Sequence, residues 1–496
     1  MHSWLPAGGI PKGRVHDQFL ILLVLFRWIG VKRSEAVVSP KVFDRRMFLK
    51  MVGAAGWVPL IGTSFAAALN RPPHASSIKG SAKSVIIPTL EWAGDVNERL
   101  DFPGDWDIEV LDMKGAKAPG LTAQQIGKQL DQPIGAQRLR DIAAGKKRVV
   151  ITFDDLARPT PTSTVMPWVM EELRAAGVRD EKVLLLGAFG SHRAMTQSEV
   201  DKKMGKEAAS RFAWQNHNVF ENVKEVGTTS FKNRVKLNQT FLAADCKICI
   251  SGVKGHEQAG MSGGAKAVMP GVAGLDTIQY NHWVLLPHAK TAGTFKIFQN
   301  EVRLDMIEAA RMARVNFTVQ IVTNQKRQPV RVFSGDIVGA HQAASRMAVQ
   351  HYATPTAKNA DIVVANSYPL SGQAFRARWW IDHSLRDGGT GVLIVQDPLG
   401  LDPVHWLNAR VTGRNGATYF DMMEHRSKTQ LPRGTGLVVY SQYLTRTMMD
   451  IYPPATRFAS KWDDVIQILR ERHKGQVRVA VYPYGGIQEQ EIPLDG

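Results

Sequence analysis

The sequence predicts an α/β protein made of two α/β domains, a larger N-terminal one and a smaller C-terminal one. Three observations predict it. From residue 83 onward, short runs rich in Val, Ile and Leu alternate with helical stretches, the pattern that lays helices on the faces of sheets. Thr354-Pro355-Thr356 punctuates that alternation, which then resumes. At 496 residues the chain is too long for one ordinary domain.

Taken in order, Ser84–Pro88 and Ile108–Leu111 read as strands, followed by strands over Arg148–Phe153 and Lys182–Gly187 with the helical Val165–Ala176 between them. Gln197–Phe212 reads as helix, Lys247–Ser251 and Val315–Val322 as strands, and Gly335–His351 as helix. In the second set, strands Ile362–Ala365 and Val392–Val395 flank the helical Phe375–Leu385, and Leu437–Tyr440 precedes the amphipathic Trp462–Lys474. The expected boundaries are 83–350 for the first domain and 351–475 for the second. Residues 476–496, with the strand Val477–Tyr482, are expected to return to the first domain.

The net charge of +17 invites a nucleic-acid reading. Residues 1–68 hold nine Lys and Arg against three acids, a surplus of 6 that leaves +11 for the rest. That remainder is spread rather than gathered into blocks, and no nucleic-acid motif accompanies it. A general positive potential also attracts small anions, so no nucleic-acid partner is expected. The two cysteines, Cys246 and Cys249, stand three apart in a predicted strand. Residues so spaced point to opposite faces, which makes them separate buried thiols rather than a redox pair or half a zinc site.

Asp44-Arg45-Arg46-Met47-Phe48-Leu49-Lys50 resembles the bacterial twin-arginine export consensus. The apolar stretch Met51–Ala68 that follows is broken by Gly53, Gly56, Pro59 and Gly62 and falls short of a membrane span. Residues 1–68 are therefore expected to be a signal region and no stable membrane anchor, with 69–82 as a Pro/Ser-rich linker. Such signals lie near a start, so residues 1–40 read as an over-extended start. The twin-arginine translocase becomes an expected partner and the periplasm the expected location.

Three polar clusters directly follow predicted strands, where α/β folds bind ligands. After Phe153 comes a proline-stiffened turn with Asp155 and Arg158, readable as a surface ion pair or as a ligand site. After Gly187 comes a glycine-containing loop with His192, a residue that titrates near neutrality. The third, Ser251–Gly271, packs six glycines into 21 residues around His256, Ser262-Gly263-Gly264 and Lys266. Glycines let a backbone approach a ligand closely, and the Ser-Gly-Gly run is expected to offer N–H groups to a phosphate. It is not a Walker loop, because Ala267 follows Lys266. Asn281-His282 lies shortly downstream.

In this order and spacing, the Asp-x-x-Arg-Pro turn, the Gly-x-His-Arg-x-Met-Thr loop, the His-x-x-x-Gly-x-Ser-Gly-Gly-x-Lys segment and the Asn-His pair resemble the lactate racemase family over about residues 82–490. The resemblance implies two domains joined by hinge helices with the active site in the cleft. It implies nickel held in a pyridinium-3,5-bisthiocarboxylic acid mononucleotide, the nickel-pincer nucleotide, bonded covalently to Lys266. Ser262, Gly263 and Gly264 would cradle it, and His282 would ligate the metal. His192 and His256 would be the acid/base pair and Arg158 a substrate-side cation supported by Asp155. A 2-hydroxy acid substrate and the enzymes that make the cofactor follow as partners; the oligomeric state does not.

The second domain departs from the family pattern. The family places a Gln and, three residues on, a Lys after a Tyr-Pro-Leu-Asp segment, whereas this chain has Arg376 and Trp379 at those positions. Arg376 or Arg378 would replace the charge, and Trp379 would line a pocket for a side chain larger than that of lactate. Two alternatives stay open: a periplasmic binding homologue without turnover, and a zinc hydrolase using His192, His256 and His282.

Overall fold

The computed structural model describes residues 83–398, 431–445, 449 and 452–495. The export signal and the linker lie outside these residues. Two six-stranded sheets organise what is described. In the first, the strands run in the order Pro329–Gly335, Phe317–Thr323, Cys246–Gly252, Val149–Phe153, Val183–Gly187, Ala213–Asn216. All are parallel except the edge strand Pro329–Gly335. Both faces of the four inner strands are covered, so these strands are almost wholly buried, as inner parallel strands are. Ile151, Phe153, Cys246 and Ile248 pack on one face, and Val150 and Cys249 on the other. The two thiols are thus free, buried and on opposite sides.

The second sheet runs Arg457–Ala459, Gly436–Tyr440, Leu385–Ile394, Ala360–Asn366, Arg478–Tyr482, Asp107–Val110, and every pair is parallel. Two expectations are corrected here. The strand Arg478–Tyr482 lies inside the second sheet and does not return to the first domain. The hairpin Lys83–Thr89/Val96–Phe102 and the strand Asp107–Val110 also belong to the second lobe. Val85, Ile87, Leu100 and Phe102 bury one face of that hairpin against Ile362, Val392 and Val479. The helix expected over Gln197–Phe212 is two helices, Gln197–Met204 and Lys206–Arg211, broken where Gly205 takes φ +86°. No helix among the described residues is long and apolar enough to cross a membrane.

Beyond Tyr482 the tail pairs Glu489–Gln490 with Ala353–Thr354 and then reaches the first lobe, where the Asp495 carboxylate accepts the backbone N–H groups of Ile297, Phe298 and Gln299 at 2.6, 3.2 and 3.5 Å. Removing those acceptors leaves three donors to water and frees the tail. Asp495→Ala should therefore lower unfolding stability by about 1–2 kcal/mol in a denaturant titration, whereas an unchanged midpoint would show that the tail is not anchored there.

Candidate active site

In the first sheet, Val149–Phe153, Val183–Gly187 and Cys246–Gly252 run parallel, so the loops that follow them emerge at one edge. That is how three segments far apart in sequence meet. The Asp155 turn is closed by its own side chain, with Oδ1 accepting the Ala157 N–H at 2.9 Å. Oδ2 lies 2.6 Å from His192 Nδ1. Burial raises the pKa of Asp155, but His192, Arg158 and Lys203 outweigh it and hold the carboxyl well below the usual range. A carboxylate at Nδ1 assigns the ring hydrogen to that nitrogen, which makes Nε2 the basic nitrogen of the ring.

His256 is bonded differently. Its Nδ1 accepts the N–H groups of Gln258 and Ala259 at 3.2 and 3.3 Å, which assigns the hydrogen to Nε2. Burial, reinforced by Lys266, Arg376, Lys254 and Arg158, holds its pKa well below the ordinary histidine value. The two imidazoles are therefore unlike: His192 offers a base and His256 an N–H donor.

The glycine-rich loop is fixed by residues that sequence reading missed. Arg303, on the helix Glu301–Ala313, is fully buried and donates to the carbonyls of Ala259 (3.0 Å), Gly263 (3.0 Å) and Met261. Gln320 Oε1 accepts the Gly264 N–H at 2.9 Å, and His341 Nε2 bonds the Ser262 carbonyl at 2.8 Å. Gly263 and Gly264 take φ of +77° and +59°, and a Cβ on them would meet Gln320 at 2.5 Å and the His341 ring at 2.6 Å. No other residue fits there. Lys203, also fully buried, reaches Asp154 at 2.6 Å and the Arg158 carbonyl at 2.9 Å, propping the Asp155 turn. The signal for Lys203 and Arg303 was faint: each occupies a position that helical spacing places among apolar neighbours, Val200 and Met204 for one, Met306 and Ala310 for the other.

Of the Ser-Gly-Gly run expected to cradle a phosphate, the Ser262 and Gly264 N–H groups are already bonded within the protein. The Ser262 N–H goes to the Lys254 carbonyl at 2.8 Å, Ser262 Oγ donates to the Gly252 carbonyl at 2.8 Å, and the Gly264 N–H is taken by Gln320. These groups shape the loop instead of pointing donors outward.

Lys266 follows in the short helical turn Gly264–Ala267. Its Nζ makes no hydrogen bond or ion pair with any described residue. Burial, then Arg303, Arg158 and Arg376, hold its pKa well below the ordinary lysine value. His282 stands on the π-helical turn Tyr280–Leu285, a rare geometry concentrated at functional sites. Its neighbour Asn281 ties that turn to the Arg303 helix through Val302 and Asp305.

From the second lobe, Arg376 enters the site, donating to the Gly255 carbonyl at 3.2 Å. Arg378 does not, since it lies 3.5 Å from Asp382 on its own helix. Trp379 stacks on His383 at 3.9 Å and packs toward the second-lobe core, so the pocket expected from it is not built there. A cleft of about 510 Å³ instead opens beside Asp155, walled by Trp92, Leu156, Met195 and Leu370. Arg327 lies 4.0 Å above the Trp92 ring. Among the described residues no three His, Cys, Asp or Glu converge as metal ligands, so His192, His256 and His282 do not form the zinc site that the hydrolase alternative requires.

Residues 94–293 match the family described as lactate racemase N-terminal domain, a span that includes all of these loops and His282. The chain is 30% identical over 309 residues to the lactate racemase of Thermoanaerobacterium thermosaccharolyticum, covering 60% of this chain and 71% of that one. It is 28% identical over 278 residues to the lactate racemase of Lactiplantibacillus plantarum, covering 55% and 65%. The fold is similar to that of the Thermoanaerobacterium thermosaccharolyticum lactate racemase apoprotein, with a TM-score of 0.63 and 22% identity over 82% of this chain and 99% of the other. A Thermotoga maritima protein superposes with a TM-score of 0.54 at 18% identity.

A lysine whose pKa is held below the ordinary value is a better nucleophile near neutral pH than a surface ammonium. Limiting acylating reagent near neutral pH should modify Lys266 ahead of the other lysines, read by peptide mass, and Lys266→Arg should abolish that early product. Uniform labelling would contradict the assignment.

Proposed function

The chain belongs to the lactate racemase family, and on that premise we propose that it inverts C2 of a 2-hydroxy acid bulkier than lactate, by way of the planar 2-keto acid. A racemase- or epimerase-type function follows from the family; the cofactor, the route and the substrate are our reading. We assign a nickel-pincer nucleotide to Lys266, with His282 as the protein ligand of its nickel. When bound, this group supplies the reversible hydride acceptor.

The observation that carries the proposal is the Lys266 amine, which has no hydrogen-bond or ion-pair partner among the described residues and is held well below the ordinary lysine pKa by burial and by Arg303, Arg158 and Arg376. An amine in that state is ready to form a covalent link, and the surplus of positive charge suits an anionic nucleotide.

The chain's own residues then do the following. Arg158 presents its guanidinium to the anionic ligand. His192 Nε2 takes the proton of the 2-hydroxyl, and Asp155 stabilises the imidazolium that results. His256 Nε2–H bonds the same oxygen from its own side and polarises the emerging carbonyl. The roughly 510 Å³ cleft beside Asp155 supports a side chain larger than a methyl group, with Trp92 and Met195 against it. We also propose that the enzyme leaves the cytoplasm folded, through the twin-arginine translocase, after the cofactor-making enzymes have loaded it. A binding homologue without turnover is the second reading, favoured by the placement of Trp379 away from the site.

Protein produced together with the cofactor-making enzymes should show a nucleotide-sized mass increment on the Lys266 peptide and about one nickel per chain; unmodified, nickel-free protein would overturn the assignment. Loaded protein should racemise members of a panel of bulky 2-hydroxy acids on chiral chromatography, and loading without inversion of any acid would favour the binding homologue. Asp155→Asn should keep the adduct yet lower kcat by roughly 10²–10⁴, whereas a kcat near wild type would remove Asp155 from the account.

A further inference from the structure

Lys254 is a second lysine of the glycine-rich loop, buried at 6% exposure, and nothing above uses it. Its backbone is locked on both sides by Ser262: the Lys254 N–H donates to Ser262 Oγ at 3.0 Å, and its carbonyl accepts the Ser262 N–H at 2.8 Å. Lys254 stands two positions before His256, and alternate residues of an extended segment share a face. Its Nζ lies 3.5 Å from the Gly255 carbonyl oxygen, the same atom to which Arg376 donates at 3.2 Å. Two cations from different lobes therefore meet over one carbonyl group.

The counter-charge at this point is incomplete. Glu489, brought in by the C-terminal tail, has its carboxylate so close to Gly255 that a Cβ there would meet it at 2.4 Å. Glu489 Oε1 is 3.7 Å from Arg376 Nη1 and has no hydrogen-bond partner among the described residues. Arg376 and Arg158 thus act on both Lys254 and Lys266, with Glu489 and Glu257 as the acids opposing them at Lys254. Buried like charges are unfavourable unless an anion joins them. Beside Lys254 lies a cavity of about 20 Å³ lined in part by Arg158, Thr160, Ser262 and Tyr352. That is room for one water or one carboxylate oxygen and too little for a phosphoryl group.

We infer that Lys254 and Arg376 together form the substrate-carboxylate subsite, with Lys254 supplying from the loop the amino group that the second-lobe helix lacks at Trp379. Glu489 is a positioning residue that draws Arg376 in. Ser262, freed from the phosphate role, aims Lys254. The inference rests on the 2-hydroxy-acid reading, but binding can be measured on protein that carries no nucleotide, so the two fail separately.

Full-length protein, unmodified and loaded, is titrated calorimetrically with mandelate, with oxalate, and with inorganic phosphate as the competing anion. Lys254→Gln should weaken mandelate and oxalate about tenfold or more in both forms while leaving phosphate binding within about twofold. In loaded protein it should raise KM with kcat within about threefold, and Lys254→Arg should restore part of the affinity. Glu489→Gln should produce a smaller loss of the same kind. Unchanged carboxylate binding in Lys254→Gln would overturn the inference. Loss of phosphate binding together with failure to form the Lys266 adduct would overturn it too, by making the site a nucleotide-phosphate subsite. If Lys254→Gln does not fold, Lys254→Met and Arg376→Lys carry the same comparison, with wild-type carboxylate affinity in both again overturning it.

Discussion

A guanidinium with no carboxylate of its own sets the terms for this active site. Arg303 is buried, has no ion-pair partner among the described residues, and spends its N–H groups on the carbonyls of Ala259, Met261 and Gly263. Burial lowers its pKa to about 9, so it remains a cation at neutral pH. It does two things at once. It holds the glycine-rich loop in a shape that requires left-handed backbone at Gly263 and Gly264, and it makes a second positive charge at Lys266 unfavourable. Burial is the larger cause of the lowered Lys266 pKa, and Arg303 is the first of the charges that add to it.

Around that constraint the sheet supplies geometry and the lobes supply chemistry. The parallel strands of the first sheet bring Asp155, His192 and the lysine loop to one edge, where the Gly190 N–H bonds the Gly271 carbonyl at 2.9 Å and ties the histidine loop to the lysine loop. The second lobe adds Arg376, and the tail adds Glu489. Arg158 and Arg376 thereby act on the lysines of the same loop, with Glu489 and Glu257 as the opposing acids at Lys254.

Much of this was legible in the sequence, and for physical reasons. Strands buried on both faces read as continuous apolar runs, and the loops at their carboxyl ends carry polar residues amid glycine, so Asp155, His192, His256 and Lys266 stood out. What failed was non-local. A parallel strand carries no mark of which sheet it joins, so Lys83–Phe102 and Arg478–Tyr482 were placed in the wrong lobe. Arg303, Lys203 and Gln320 look like ordinary polar residues in helices and strands, and only their position among apolar neighbours hinted at burial. Ser262 was visible but misread, because its N–H and hydroxyl are consumed by Lys254 and Gly252. Trp379 was likewise visible, but its side chain turns to His383 and the core.

The account stands on the charge state of one amine. Selective carbon-13 labelling of lysine and a pH titration of the Lys266 side-chain resonance, assigned by comparison with Lys266→Arg, measure it in the unmodified protein. The account predicts a midpoint well below the roughly 10.4 of an ordinary lysine, moving up when Arg303 is replaced by methionine. A Lys266 resonance that titrates with the surface lysines, and is indifferent to Arg303, would contradict it.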